Sequence, residues 1–417
     1  MAVKIAFIGL GSMGGRMTER LLEAGVEVSV FDVVPERMQA FEGRVRIASS
    51  IADAIQGVDG IFSVVPADYN THQVVGEIMS AGTAGQVYVD FSTIGPWTIT
   101  PVAQQLDSVG VITISAGMTR SIGGAEEGTL SLYIGGVDEI PANIKPAFDC
   151  LASDLTFVGE VGAAKTAKLV NNMIVTAMGL TIHEGLALAK QFGISYRTMV
   201  DGIIAAGGTS WTMDNHTIAH VLTGNLGTGF FSTTLVRKDM RLVTRLCEEL
   251  LLPACFIGLS APGFRGACAA GHGDDYHPIT VHWMEDGGLV GHRKTTPLPS
   301  GMDQAAVVSA IAQTVVDLQA IASAEGLNAL GRTGIDPMKG ARMMDAGTAG
   351  NGALDRFMAG QTDGPLYSEV QERLRATSAI CDVADMPGTT FEVSRHRVLA
   401  AQAKYGVHAS VWVGIEG

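Results

Sequence analysis

A lysine and an asparagine, Lys168 and Asn172, stand one helical turn apart in VGAAKTAKLVNNM (161–173), a stretch that is otherwise small and apolar for most of its length. At that spacing a helix presents both side chains on one face. An amine and an amide so placed suit one kind of chemistry. When an alcohol is oxidised by hydride transfer, its hydroxyl proton must leave as the hydride departs, and reduction must return it. A partly desolvated lysine can move that proton, because burial disfavours the ammonium and lowers its pKa, and it can also stabilise developing alkoxide charge. The amide fixes geometry without adding charge. The plain alternative is a lysine that snorkels out of a buried helix.

Hydride chemistry needs a nucleotide site, and the N-terminal segment has the pattern of one. KIAFIGLG is an apolar run ending in glycines, SMGGRMTERLLEAG has helical periodicity, and VEVSVFD reads as a second strand. Gly9, Gly11 and Gly14 match GxGxxG at the strand-to-helix turn, with Leu10, Ser12 and Met13 completing the loop. The first glycine permits the bend, the second lets backbone approach a pyrophosphate, and the third lets helix pack on strand. Asp32 closes the second strand, where a carboxylate accepts from both ribose hydroxyls and repels a 2′-phosphate, so NAD is favoured over NADP. Glycines in an ordinary βα turn beside a solvated aspartate are the alternative. GIFSVV, QVYVDFS, GVITISA and SLYIGG alternate with helical stretches and extend a doubly wound sheet. Sites in such sheets gather beyond the carboxyl ends of the strands. Val65 and Pro66 lie at one such end and Thr93 at another, although Ser/Thr-rich strand ends also serve as turns.

Composition narrows the partners. The chain has 417 residues, 47% of them hydrophobic, so it can fill two or three cores. With 17% charged residues and a net charge of −14, a broad nucleic-acid surface is disfavoured and a small-molecule partner favoured. Cys150, Cys247, Cys255, Cys268 and Cys381 are scattered without CxxC spacing, as suits reduced thiols in a cytoplasm. MAVKIAFIGLG runs straight into the strand, leaving no room for a leader, and no uncharged apolar run approaches the roughly 20 residues of a membrane span. The expectation is a soluble, cytoplasmic protein without a membrane partner. His272, His277, His282 and His292 cluster with Asp274, Asp275 and Asp286, but GHGDD (271–275) reads as a loop before a helix, and no metal is expected.

Taken in order, GLGSMG, DFSTIGP, GGAEEGTLSLYIGG (123–136), GAAKTAKLVNNM and LVRKDMRLV resemble the motifs of the β-hydroxyacid dehydrogenases, and the resemblance covers about residues 1–286. That family includes 3-hydroxyisobutyrate dehydrogenase and is more distantly related to 6-phosphogluconate dehydrogenase. The resemblance implies a Rossmann domain joined by a long helix to an all-helical domain, with the active site in the cleft between them. It implies that Lys168 is the catalytic lysine, that Asn172 positions it and the substrate, and that Asn171 is structural. It likewise implies that Gly9 through Gly14 hold the pyrophosphate, that Thr93 touches the cofactor, and that Lys238 with Asp239 lies beside nicotinamide and substrate. Trp211 resembles an aromatic of the substrate pocket, or is a core tryptophan. Two departures stand out. Ala164 replaces the second glycine of GxGxxxK, a small change. Where the family reads DAPVSGG this chain has SAGMTRS (115–121), so Thr119 stands for the serine and Arg120 and Ser121 for the glycines. An arginine there resembles the sulfolactaldehyde reductase branch and can grip a second anionic group bidentately, or it points to solvent.

A search for self-similarity finds GISYRTMVDGIIAAGGTSWTMDN (193–215) parallel to GIDPMKGARMMDAGTAGNGALDR (334–356) at a constant offset of 141. After a loop shift, Arg241, Cys247 and Pro253 fall opposite Arg375, Cys381 and Pro387. The organisation expected is an α/β Rossmann domain (1–162) followed by two tandem all-α domains of the 6-phosphogluconate dehydrogenase type, the catalytic copy at 163–286 and a second at 304–417, joined by a Gly/Pro linker (287–303). Lys168 maps to Ser309, Asn172 to Gln313 and Lys238 to Glu372, so the second copy is expected to be non-catalytic. It would mimic a partner's domain, leaving a homodimer or a pseudo-dimeric monomer open. Chance likeness of amphipathic helices is the alternative.

Together these features predict an NAD-dependent enzyme interconverting a 3-hydroxyacid, with or without a second anionic group, and its semialdehyde or ketone. An imine reductase or a decarboxylating sugar-acid dehydrogenase is the alternative within enzymes. A silent nucleotide sensor keeping the fold is the rival outside them, and the presence of Lys168 argues against it.

Overall fold

A computed structural model describes residues 3–227, 231–252, 257–285, 295–386 and 389–413. The chain forms two compact units, Met1–Leu169 and Val170–Gly417.

The first unit alternates strands and helices: β1 (Lys4–Ile8), α1 (Gly14–Glu23), β2 (Glu27–Phe31), α2 (Pro35–Gln39), β3 (Arg46–Ile47), α3 (Ile51–Ala54), β4 (Gly60–Ser63), α4 (Asp68–Ala81), β5 (Val87–Asp90), α5 (Pro96–Asp107), β6 (Ile112–Thr119), α6 (Ser121–Glu127), β7 (Leu130–Gly135), α7 (Lys145–Leu151) and β8 (Ala152–Gly159). The strands lie in the order β3-β2-β1-β4-β5-β6-β7-β8. Every pairing is parallel except β6 with β7, so the Rossmann order is extended by two strands past the antiparallel turn. The period-two pleat sorts the apolar runs between two cores. Ile5 and Phe7 of β1, Phe62 of β4 and Val87 and Val89 of β5 face Met17, Leu21 and Phe148. Ala6, Ile8, Ile61 and Tyr88 face Val74, Ile78, Ile99 and Val102 on the other side. Strands buried on both faces read as unbroken apolar runs, which is why β1, β4, β5, β6 and β7 are visible in sequence. β8, ASDLTFVG, lies at the sheet's edge, mostly part-buried with one buried residue, and carried no such signal.

The second unit is helical. α8 (Val161–Gln191) begins in the first unit and continues into the second. It is followed by α9 (Tyr196–Ala205), a π-helix at Met213–Val221, α10 (Thr233–Glu249), α11 (Ile257–Ala269), a short 3₁₀ turn at His277–Ile279, α12 (Thr280–Glu285), α13 (Gln304–Gly331), α14 (Pro337–Ala346), α15 (Gly352–Met358), α16 (Tyr367–Ala384) and α17 (Thr389–Tyr405). The elements recur at fixed offsets. α9 and α14 have the same length at a displacement of 141, matching the sequence frame. Further on the displacement is 134. The bridge Ser232↔Tyr276 corresponds to Leu366↔Ser410, and the amide bonds Thr233→Asp275 and Thr234→Gly273 to Tyr367→Ala409 and Ser368→Val407.

The matched segments also meet each other. Ser210 bridges Asn351, its counterpart 141 residues on. Trp211 N–H donates to Gly350 O and Gly352 N–H to Thr209 O, both at 3.0 Å, a reciprocal pair of the kind a two-fold axis produces. Pro253, Pro387 and linker residues 287–294 lie outside the described residues.

One helix reaches the length and composition of a membrane span, although Asp317 and Glu325 interrupt it. α13 is 28 residues long with mean hydropathy 1.6 in its most apolar window, long and apolar enough by length and composition to cross a membrane. Val307, Ile311, Val315 and Leu318 are buried within the second unit, and Asp317 in its middle is paired bidentately with Arg373 of α16. A helix buried on all sides needs apolar residues all round, and that composition imitates a span.

Candidate active site

The glycine loop assigns each glycine its role. Gly9 has φ +92°, and a Cβ there would meet the Val64 carbonyl oxygen at 2.3 Å. A Cβ on Gly14 would lie 1.9 Å from the Gly9 carbonyl oxygen, so α1 packs on β1 only because this residue has no side chain. At Gly11 an added Cβ meets nothing within 4 Å. The protein itself gives no reason for a glycine there, whereas a pyrophosphate approaching the backbone does; the loop fits a dinucleotide. Two substitutions separate these roles. Gly14→Ala is expected to lower the folded yield. Gly11→Val should keep the melting temperature within about 3 °C yet weaken NADH binding roughly tenfold or more by blocking the pyrophosphate. Thermal melts and NADH fluorescence titration check both.

Asp32, 5% exposed, ties β2 to that loop: its carboxylate accepts from Leu10 N–H at 2.7 Å and Val34 N–H at 2.8 Å. Arg37 of α2, half exposed, approaches the same oxygens at 3.4 Å. A carboxylate has about four lone-pair sites; the two amides take two, and ribose hydroxyls would displace the long contacts from Arg37 at the other two. Val65 N–H donates to the Ser92 hydroxyl at 2.9 Å, joining the carboxyl ends of β4 and β5 beside Pro66 and Thr93. Ser12 of the loop is exposed and Leu10 buried, while Met13 is the N-cap residue of α1.

Segment 119–121 follows β6. Arg120 and Ser121 have φ of 72° and 57°. These are left-handed residues standing where the family resemblance expects glycines, so the backbone path suited to glycine is retained at a steric cost. The Thr119 hydroxyl is buried, 3.4 Å from Ser131 O. The Arg120 guanidinium does not simply reach into solvent. Nη1 donates to Thr129 O at 3.0 Å and to the Ser153 hydroxyl at 2.8 Å, anchoring the turn after α6.

Lys168 sits on α8 against β6. A Cβ on Gly117 would lie 2.9 Å from Lys168 Cβ and 2.8 Å from Ala164 O, so this helix approaches the strand where the strand has no side chain. Lys168 and segment 119–121, two residues beyond Gly117, are therefore neighbours within the first unit. Gly117 escaped the sequence reading, although a glycine inside a strand pattern is the usual sign of close backbone approach.

In the second unit Asn172 Nδ2 donates to Asp239 Oδ2 at 2.7 Å, and Lys238 Nζ lies 2.9 Å from Asp239 Oδ1. Asp239 is 2% exposed, so its contribution is to join Asn172 to Lys238. Asn171 is fully buried; Nδ2 donates to the Thr348 hydroxyl at 2.8 Å and Oδ1 accepts from Ala349 N–H at 3.2 Å. Trp211 is part-exposed with its ring edge-on to His216, centroids 4.9 Å apart. At the positions matching Asn172 and Asp239 the later half has Gln313 and Arg373, the latter paired with Asp317. His272 bonds Asp275 and His282 bonds Glu285, each through Nδ1, while His277 packs among rings; His292 and Asp286 lie outside the described residues.

Two family models match this chain in succession. Residues 4–159 match the family described as the NAD binding domain of 6-phosphogluconate dehydrogenase. Residues 162–284 match the NAD-binding domain of NADP-dependent 3-hydroxyisobutyrate dehydrogenase. The chain is 30% identical over 247 residues to 3-hydroxyisobutyrate dehydrogenase of Pseudomonas aeruginosa, an alignment covering 57% of this chain and 83% of that protein. A structure of the Mycobacterium tuberculosis 3-hydroxyisobutyrate dehydrogenase with L-serine is 25% identical with a TM-score of 0.62, covering 68% of this chain and 99% of that one. Plasmodium falciparum 6-phosphogluconate dehydrogenase, at 13% identity, shares the fold across 95% of this chain and 92% of its own, with a TM-score of 0.71. The chain belongs to the β-hydroxyacid dehydrogenases, NAD(P)-dependent oxidoreductases that act on CH–OH groups.

Proposed function

We propose that this enzyme interconverts a 3-hydroxyacid and its semialdehyde or ketone, preferring NAD, in the cytoplasm. The observation that supports the reading is the close approach of the Lys168 Cβ to Gly117, on the strand whose end bears Thr119, Arg120 and Ser121. The substrate carboxylate is held at 119–121 and its hydroxyl at Lys168 Nζ. Bound nicotinamide supplies the hydride acceptor or donor. Lys168 takes the hydroxyl proton during oxidation, returns it during reduction, and stabilises the alkoxide between these states. Asn172, held by Asp239, orients the hydroxyl, and Lys238 sits across the same carboxylate. Arg120 serves through its left-handed backbone, its guanidinium being engaged by Ser153 and Thr129.

The cofactor preference rests on Asp32, whose buried carboxylate would meet a 2′-phosphate. The later half of the second unit is read as a non-catalytic copy of the earlier one. The matched bridges and the reciprocal bonds of Trp211 and Gly352 support this, and the copy takes the place of a partner's helical domain.

A panel of 3-hydroxyisobutyrate, 3-hydroxypropionate, glycerate, L-serine and a hydroxymethyl dicarboxylate, followed by absorbance of the reduced cofactor, tests the activity. Turnover of at least one acid is expected, and turnover of none overturns the reading. NADH is expected to bind about tenfold more tightly than NADPH, with Asp32→Asn closing the gap by removing the repelling charge and releasing Arg37 for the 2′-phosphate. Equal affinities in the unaltered protein overturn the preference.

A further inference from the structure

A second lysine lies one turn before Lys168. Lys165 is fully buried, and its ammonium donates to Asp90 Oδ1 at 2.8 Å, Asp90 O at 2.7 Å and Ser92 O at 2.9 Å. An ammonium has three donors and no acceptor, and three oxygens, one from a carboxylate, meet it. Asp90 is buried as completely. It also receives the hydroxyls of Tyr88 at 2.9 Å, Thr71 at 3.3 Å and Ser63 at 3.4 Å, and the Ser92 amide at 2.9 Å.

Ion pairs this deep are a poor source of stability, since desolvation offsets most of the attraction and an apolar pair of the same volume often serves as well. What this pair gains is placement. Asp90 and Ser92 flank Phe91 at the carboxyl end of β5, immediately before Thr93, and the Ser92 hydroxyl holds the Val65 amide at the end of β4. Lys165 thus ties the first turns of α8 to the strand ends assigned to the nucleotide, while Ala164 and Lys168 rest on Gly117 of β6.

We propose that Lys165 is a positioning residue, its contacts with Asp90 and Ser92 setting where Lys168 stands relative to the nucleotide-binding strand ends. The proposal rests on the reading of Lys168 as proton carrier. The pair acts as a brace: neither Lys165 nor Asp90 touches substrate, and both determine where the reacting amine is held.

The test compares Lys165→Met/Asp90→Asn, which leaves no charge buried alone, with Lys165→Gln, which keeps two donors for the same acceptors. Each is assayed with an acid of the panel above that turns over, and kcat is expressed per NADH-binding site so that unfolded material does not count. For the double variant, NADH affinity and substrate KM are expected within about threefold of the parent and kcat about 10²-fold lower, the loss a displaced catalytic group causes. The limb of the pH–rate profile that reports Lys168 should move with it. Lys165→Gln should fall between the two. A kcat per site within about threefold of the parent in the double variant, with an unmoved pH profile, overturns the proposal, because a purely structural brace would lower the melting temperature and leave chemistry per folded site intact. Lys168→Ala is run alongside. Surviving activity there removes the underlying reading whatever Lys165 does, so the two failures are distinguishable.

Discussion

Lys168→Ala is expected to lower kcat by about 10³-fold or more, at the strong end of what a positioned general acid–base contributes, while NADH affinity stays within about threefold. The separation follows from where the parts lie. The dinucleotide contacts come from the Gly9–Gly14 loop, Asp32 and the ends of β4 and β5, whereas Lys168 lies on α8 against Gly117. Truncation also spares the Lys165–Asp90 and Asn172–Asp239 contacts, so the helix should hold its place. Lys168→Arg sharpens the test. A guanidinium keeps a positive charge beside the alkoxide but does not give up its proton in this pH range. If electrostatic stabilisation alone were the contribution, arginine would restore much of the rate; proton transfer requires that it does not. Stopped-flow measurement of NADH formation with each variant decides. Activity within about tenfold of the parent in the alanine variant would overturn the assignment.

The sequence made the first unit legible because its strands are buried on both faces and its turn glycines follow a local pattern. Gly9 is required by its own positive φ and Gly14 by the Gly9 carbonyl, and Lys168 and Asn172 are paired by one helical turn. Contacts made across the fold were harder to read. Nothing local to Lys165 says that its ammonium reaches Asp90, 75 residues earlier in the chain. Asn171 was assigned a structural role, but its partners Thr348 and Ala349, 177 and 178 residues away, could not be named from its neighbours. Arg120 was read as a contact for a second anion or for solvent; the bonds to Thr129 and Ser153 depend on how β7 and β8 pair, and β8 was itself missed. The Asn171 contact also gives the later half of the second unit a task. The turn that follows α14 supplies Thr348, Ala349 and Gly350, which hold Asn171 and the Trp211 amide, so this half supports residues next to Asn172.

Below neutral pH the second unit is expected to lose stability steeply, and the cause is a cluster of buried neutral imidazoles. His216 packs edge-on against His277, ring centroids 4.6 Å apart, with Tyr276 and Trp211 around them, and His183 bonds the Thr280 hydroxyl. Burial lowers the pKa of His183 to about 3, helped by His216 and His282, and that of His216 to about 3, helped by His220. Burial, with His216, His183 and His220 nearby, holds His277 well below the ordinary range. Because each folded pKa lies below its unfolded value near 6.5, the unfolded chain takes up protons first as the pH drops. The stability these neutral rings provide is therefore complete above about pH 7 and is lost progressively from about pH 6.5 down towards 3. Each ring loses about 1.4 kcal/mol per pH unit in that window, so the cluster should cost about 4 kcal/mol between pH 7.5 and 5.5, a large part of a typical 5–15 kcal/mol. For a unit of this size that is a fall in melting temperature of roughly 8–16 °C. His216→Phe keeps an aromatic ring against His277 and Trp211, and it removes a buried Nδ1 that has no hydrogen-bond partner. The variant should be about as stable as the parent at pH 7.5 and should lose about a third less between pH 7.5 and 5.5. Thermal melts of both proteins at three or four pH values read the slopes directly, and parallel curves would mean that His216 takes no part in the acid response.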